Sequence, residues 1–225
     1  DWVYNAIKIE REGNHSAYFK FKIDENEVET YLRIHQLNER LFIEKGEDYS
    51  YSSVHFSLYK KSQETGSYVL LHNGANSKAM GRKSVHISNQ GKINLEKGDY
   101  ILKAKVLWNQ NNLKEFVIST YSNKPFLLQE VKSSEGKKMM EDAYKVIGQT
   151  SPNVYIFSDG LRKFTYTWLP EHCVLYFENK SESLWNSGIK LTSVKNCRLG
   201  KKFKAEQDLI QFALGPNNSE VVLVK

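Results

Sequence analysis

Chemistry in this chain would have to start from six histidines, two cysteines and two acidic loops. His15, His35, His55, His72, His86 and His172 stand singly, with no His-x-x-x-His and no Cys-x-x-Cys spacing. The nitrogen and sulfur set of a structural zinc site therefore has no basis in the spacing. His172-Cys173 is the one place where a base adjoins a thiol. A nucleophilic cysteine needs a stabilised thiolate, commonly at a helix N-terminus or beside an imidazolium. Cys173 instead opens the apolar run Cys173-Val174-Leu175-Tyr176-Phe177, where a thiol packs as a small hydrophobe. No Gly-x-Ser-x-Gly elbow, phosphate loop or dinucleotide fingerprint occurs. The segment is read as non-enzymatic, with no catalytic and no cofactor-binding residue. The acidic loops Asp24-Glu25-Asn26-Glu27 and Glu44-Lys45-Gly46-Glu47-Asp48 leave one metal reading open. Ca²⁺ takes roughly six to eight oxygen ligands, and Asp24, Glu25, Glu27, Glu47 and Asp48 are weak Ca²⁺ candidates. Neither loop has Asp-x-Asp spacing, so a solvated loop is the simpler alternative.

The wider composition narrows the partners. Net charge is +6, from 32 basic and 26 acidic residues that are interspersed. A nucleic-acid binder concentrates its cations in a stripe, so nucleic acid is disfavoured. The densest basic patch is Lys201-Lys202-Phe203-Lys204. Lys201, Lys202 and Lys204 are candidate surface contacts to acidic membrane lipid, nucleic acid or an acidic protein tail, with an ordinary solvated surface as the simpler reading. Cys173 and Cys197 are too few for a disulfide framework and suit a reducing compartment. No apolar run approaches the ~20 residues of a membrane span, and no signal peptide is visible. Asn14-His15-Ser16, Asn179-Lys180-Ser181 and Asn217-Asn218-Ser219 are set aside as glycosylation acceptors, in keeping with an intracellular chain. The chain begins at Asp1 rather than Met and reads as a piece of something longer. The expected location is cytoplasmic, with a cytoskeletal association open.

The elements that must position any site are strands. Thirteen Tyr and eleven Phe against three Met favour a pleated surface. Phe19, Phe21 and Ile23 alternate with Tyr18, Lys20 and Lys22; Leu32 and Ile34 alternate with Tyr31 and Arg33. Val54–Lys60, Tyr68–Leu71, Arg82–Ser88, Tyr100–Trp108, Glu115–Ser122 and Phe126–Val131 continue the series, with turns expected at His72-Asn73-Gly74 and Lys97-Gly98-Asp99. A period of two cannot be a helix face. Ser133-Ser134-Glu135-Gly136 reads as a breaker cluster. Met139, Met140, Ala143, Tyr144 and Ile147 then predict a helix over Lys137–Ile147, stopped by Gly148. Strands resume at Val154–Phe157, Lys163–Trp168, Cys173–Phe177, Gly188–Val194, Asp208–Leu214 and Glu220–Val224. The expected fold is mostly β: two tandem antiparallel β-sandwiches joined by a short helix. The boundaries are 1–132 for the first sandwich, 133–150 for a helical linker and 151–225 for a second, smaller sandwich.

The first half resembles the C2-like β-sandwich of calpains. Tyr31-Leu32-Arg33-Ile34-His35 running into Gln36-Leu37-Asn38-Glu39-Arg40 is similar to the family's Leu-x-Leu-x-Gln-x-Asp-x-Arg run. Leu95-Glu96-Lys97-Gly98-Asp99-Tyr100-Ile101-Leu102 is similar to its Leu-x-Pro-Gly-x-Tyr-x-Ile signature, with Lys97 in place of Pro. Val54–Lys60 looks like its central strand, and Glu115–Ser122 like the strand that ends in Ser. The second half, through Tyr176–Ser181 and Leu214–Lys225, looks like a sandwich appended in ciliate and other protist calpain-like proteins. The papain-like core is absent from these residues, so protease activity does not transfer to them. The resemblance implies a non-catalytic interaction or scaffolding segment that binds a protein assembly. The alternative it leaves open is a Ca²⁺-dependent phospholipid-binding or regulatory domain of an active calpain-type cysteine protease.

Overall fold

The computed structural model describes residues 1–10, 16–38, 40, 44, 46, 51–76, 84–88, 91–108, 115–169, 172–190, 205–206 and 209–224. The fold is mostly β, two tandem antiparallel sandwiches with one connecting helix among the described residues. The chain divides into two compact units, Asp1–Met140 and Glu141–Lys225.

Among the described residues the first unit holds ten strands: β1 Val3–Glu10, β2 Ser16–Ile23, β3 Val28–His35, β4 Ser53–Lys61, β5 Tyr68–Asn76, β6 Ser84–His86, β7 Lys92–Leu95, β8 Gly98–Leu107, β9 Glu115–Ser122 and β10 Gln129–Val131. One sheet runs β1-β9-β3-β6, with β7 also on β3; the other runs β10-β2-β8-β4-β5. The alternation of each strand decides what lies between them. In β3, Val28, Thr30, Leu32 and Ile34 are buried while Glu29, Tyr31, Arg33 and His35 face outward. Phe19, Phe56, Leu58, Leu102 and Ile118 meet these residues in one core. Burying such side chains contributes about 1.5–3 kcal/mol each.

The second unit repeats the plan in fewer residues. Strands β11 Val154–Ile156, β12 Arg162–Leu169, β13 His172–Asn179 and β17 Asn218–Val224 form one sheet in the order β11-β12-β13-β17. Strands β14 Trp185–Lys190, β15 Ala205–Glu206 and β16 Leu209–Leu214 form the other, in the order β14-β16-β15. Cys173, Leu175, Phe177, Val222 and Val224 pack against Trp185, Phe212 and Leu214.

Three sequence expectations are corrected by packing. The helix, α1, spans Ser133–Gln149, so Ser133-Ser134-Glu135-Gly136 is its first turn and Gly148 lies inside it. Both glycines are there for close approach. A Cβ on Gly136 would fall 2.2 Å from the Tyr18 ring, and one on Gly148 2.3 Å from Tyr176 Cβ. His72-Asn73-Gly74 is not a turn, because β5 runs through it; a Cβ on Gly74 would meet the His86 carbonyl oxygen at 2.4 Å. Strands β1 and β7 are additional to the sequence series. The Gly188–Val194 strand is found earlier, as β14, with residues 191–194 outside the described residues.

Candidate binding surfaces

The acidic loop between β2 and β3 does not gather its carboxylates. Asp24 Oδ1 pairs with Lys22 Nζ at 2.8 Å, and Glu25 Oε2 pairs with Lys124 Nζ at 2.7 Å. The hydrogen bond and charge of Lys22 hold the Asp24 carboxyl below its usual range. Glu27 adopts φ 59°, and Asn26 Oδ1 accepts from the Lys97 backbone N–H at 2.9 Å. Two carboxylates thus turn to two different lysines. Among the described residues, no group of three or more His, Cys, Asp or Glu side chains could hold a metal ion. Glu47 and Asp48 lie outside the described residues, as do Lys201, Lys202, Lys204, Cys197 and His15.

His172 and Cys173 are neighbours on β13 and point to opposite faces of its sheet. Cys173 is buried in the second core, while the His172 ring stands edge-on to Tyr144 of α1 at 4.9 Å. His35 Nε2 is 2.7 Å from Ser119 Oγ. Burial lowers the pKa of His72, and burial together with the Arg33 charge lowers that of His86. The β4–β5 hairpin and the turn between β7 and β8 line an open groove of about 560 Å³, in part through Lys60, Val69, Leu71, Glu96 and Lys97. Its main polar pair, Lys60 Nζ to Glu96 Oε2 at 2.5 Å, is closed on itself.

The Asn-x-Ser triplets need correction. All three satisfy the acceptor pattern. Asn179 is fully buried, with its amide nitrogen donating to the carbonyls of Ser183, Leu214 and Gly215, which removes it as an acceptor. Asn217 is exposed in the turn before β17, at φ 49°. Asn14 lies outside the described residues.

Two surfaces carry more than solvated charge. On the first unit, the outward face of the β1-β9-β3 sheet forms a grid set by register. Tyr4 opposes Tyr121, Tyr121 opposes Tyr31, and Tyr31 opposes Lys92. The next row is Ala6, Ser119, Arg33 and His86. Trp2 stacks on Tyr121 with ring centroids 4.8 Å apart, and Tyr31 lies 5.9 Å from Trp2. Tyr4 is 63% exposed, Tyr121 43% and Trp2 38%.

On the second unit, β11 is the edge of its sheet among the described residues, and Val154, Tyr155 and Ile156 are all exposed. The hairpin to β12 is pinned by Phe157 N–H to Arg162 O at 3.0 Å and by Asp159 Oδ1, which accepts from the N–H groups of Leu161 and Arg162. Tyr166 N–H donates to Asn153 O. By the alternation of an antiparallel ladder, Tyr155 then bonds inward, and Val154 and Ile156 turn their N–H and C=O groups to the open side. Trp168 on β12 is 64% exposed and Leu161 is exposed as well. These residues continue, outside the core, the aromatic chain Tyr155, Phe157, Trp185 and Phe212, whose successive rings meet edge to face at 4.9–5.0 Å.

No known protein family matches the chain, and no curated protein matches it. Among solved structures, it is similar to a crystallised protein from Sulfurospirillum deleyianum, at 14% identity and a TM-score of 0.35. That match covers 54% of this chain and 99% of the other; at such a score, neither fold nor function is carried across. No helix among the described residues is long and apolar enough to cross a membrane.

Proposed function

We propose that the chain is a non-catalytic interaction segment of calpain-like kind, whose second unit takes up an extended apolar strand of a protein partner alongside β11. The observation that carries this is the edge of β11, open among the described residues. Val154, Tyr155 and Ile156 are uncharged, contain no proline and are followed directly by Phe157. Edge strands are ordinarily blunted by shortness, lysine, proline or a bulge to prevent pairing; β11 is short but carries none of the other three. Here the backbone of Val154 and Ile156 points outward between exposed apolar side chains, which matches strand addition: main-chain hydrogen bonds supply affinity and flanking side chains supply selectivity. The pinned hairpin lowers the ordering cost of binding. The calpain resemblance supports an interaction role for the chain through the Leu95–Leu102 motif, which spans the last residue of β7, the turn after it and the start of β8.

The test is a selection of displayed peptides against the full chain, followed by hydrogen exchange. Selected peptides are expected to be extended, with apolar residues alternating, and to slow exchange at the Val154 and Ile156 amides. Ile156→Lys is expected to abolish that protection while exchange at buried β13 amides stays unchanged. Peptides that bind without protecting these two amides, or that bind Ile156→Lys equally, refute the reading.

A further inference from the structure

Among the described residues, the outward face of the first sandwich combines an aromatic surface with one unneutralised cation, Arg33. Arg33 lies over the Tyr31 ring, its Cζ 5.3 Å from the centroid. Its Nε has no hydrogen-bond partner, and no ion pair to Arg33 occurs among the described residues. Its cross-strand neighbours are Ser119 and His86, neither of them acidic. The other cations on this face are already matched: Lys92 Nζ to Glu29 Oε1 at 2.6 Å, and Lys8 Nζ to Glu115 Oε2 at 2.6 Å and to Glu10 Oε1 at 3.1 Å.

This charge pattern selects among ligands. A single-stranded nucleic acid would stack its bases on such rings but needs a track of free cations for its phosphates; among the described residues this face has one. An apolar protein surface would cover the rings but would also bury Arg33 without a counter-charge, which costs several kcal/mol. A ligand with a flat apolar ring face and a single carboxylate beside it satisfies both features. The C–H face of a pyranose ring would pack on the exposed edges of the Tyr4, Tyr121 and Tyr31 surface, and a ring carboxylate would pair with the guanidinium by charge-assisted hydrogen bonds. We propose that this face binds an acidic saccharide, with the sugar rings on the Trp2, Tyr4, Tyr31 and Tyr121 surface and a uronate carboxylate on Arg33.

Short polygalacturonate oligomers titrated into the full chain, followed by the amide and side-chain resonances of β1, β3 and β9, test this. Saturable shifts confined to that face are expected, with neutral cello-oligomers at least about tenfold weaker, as the loss of one charge-assisted pair requires. Arg33→Gln is expected to erase the preference for the acidic oligomer while leaving residual stacking. Tyr4→Ala, at the most exposed ring of the face, is expected to weaken acidic and neutral oligomers together. Lys22→Gln, on the other sheet, is expected to change neither. The proposal is overturned by equal binding of acidic and neutral oligomers, by tighter binding of an oligothymidylate, by binding of an acidic peptide in place of the sugar, or by the absence of saturable shifts. The β11 edge lies in the other unit, so this outcome is independent of strand addition there.

Discussion

Replacing Asn179 by Ala should destabilise the second unit by about 3–4 kcal/mol. Asn179 ends β13 with no exposed surface. Its Nδ2 donates to Ser183 O at 2.9 Å, Gly215 O at 3.0 Å and Leu214 O at 3.1 Å. Its Oδ1 accepts from Ser181 N–H at 3.1 Å and from Ser181 Oγ–H at 2.6 Å. One amide thereby ties the 180–184 loop to the turn after β16. The bonds to Leu214 O, Ser181 N and Ser181 Oγ are buried, so water cannot replace them, and each is worth about 1 kcal/mol net, more when its partner is left bare. The bonds to Ser183 O and Gly215 O are half-buried and are discounted. Against a typical domain stability of about 5–15 kcal/mol, the loss is large. Native-state hydrogen exchange at the Tyr176 and Val222 amides reads the second unit alone. Asn179→Asp sharpens the test. A carboxylate oxygen replacing Nδ2 would face three carbonyl oxygens, so its folded pKa must rise above the ordinary value. A raised folded pKa means that stability is retained below the unfolded value, near about 4, and lost as pH rises through the folded one. The Asp variant should match Ala at low pH and fall below it at neutral pH. An Ala variant that loses under about 1 kcal/mol, or an Asp variant indifferent to pH, would show that the network does not hold this loop.

Four further outcomes follow from single positions. Gly148→Ala should cost about 2 kcal/mol or more by overpacking, because its Cβ would fall 2.3 Å from Tyr176 Cβ; thermal unfolding measures it, and Gly160→Ala, with open space around it but φ 68°, should cost about 1 kcal/mol through backbone strain alone. Glu27→Gly should be neutral or stabilising, up to about 1 kcal/mol in denaturant melts, since Glu27 holds φ 59° and glycine removes that strain. Burial, reinforced by the Glu96 charge, pushes the Tyr100 phenol up to about 12. The unfolded phenol ionises near about 10, so between these values the unfolded state holds fewer protons and stability falls with rising pH, by about 2 kcal/mol in all. Tyr100→Phe should flatten that slope in alkaline melts, whatever constant offset the lost bond to Glu96 O introduces.

The alternation that marks a strand was readable wherever inward positions are apolar and outward ones polar. β3 obeys this, and its buried and outward sets are those the sequence indicates. β1 breaks it twice: Tyr4 is outward and aromatic, and Asn5 is inward and polar, its amide donating to Phe126 O at 3.2 Å. That hydrogen bond spans 121 residues in sequence and leaves no local trace. The three glycines read as breakers failed for a related reason. Gly74, Gly136 and Gly148 are fixed by what approaches them, the His86 carbonyl, Tyr18 and Tyr176, and a breaker rule is a statement about isolated chain.

The candidate surfaces were legible only in part, and the reason lies in register. Motif reasoning looks for reactive groups at short spacing, and the short-spaced candidates, Asp24 with Glu25 and His172 with Cys173, are parted by the fold. Asp24 and Glu25 turn to different lysines, and β13 sends Cys173 into the core while the His172 ring meets Tyr144. The residues that do converge, Tyr4, Tyr31, Arg33 and Tyr121, lie far apart in sequence and become neighbours through two antiparallel pairings. Their types are ordinary for a strand, so nothing in the local pattern separates them from core-forming aromatics. What separates them is parity: each lies an even number of steps from its outward neighbours, so one slip of register would send the whole aromatic row inward and Arg33 with it. Arg33 therefore guards the register that creates the surface, because an unpaired guanidinium in the apolar core would cost more than the sheet could recover. Tyr31, two residues before it on the same strand, is held outward by the same constraint, so the cation that gives this face its selectivity also keeps its rings exposed.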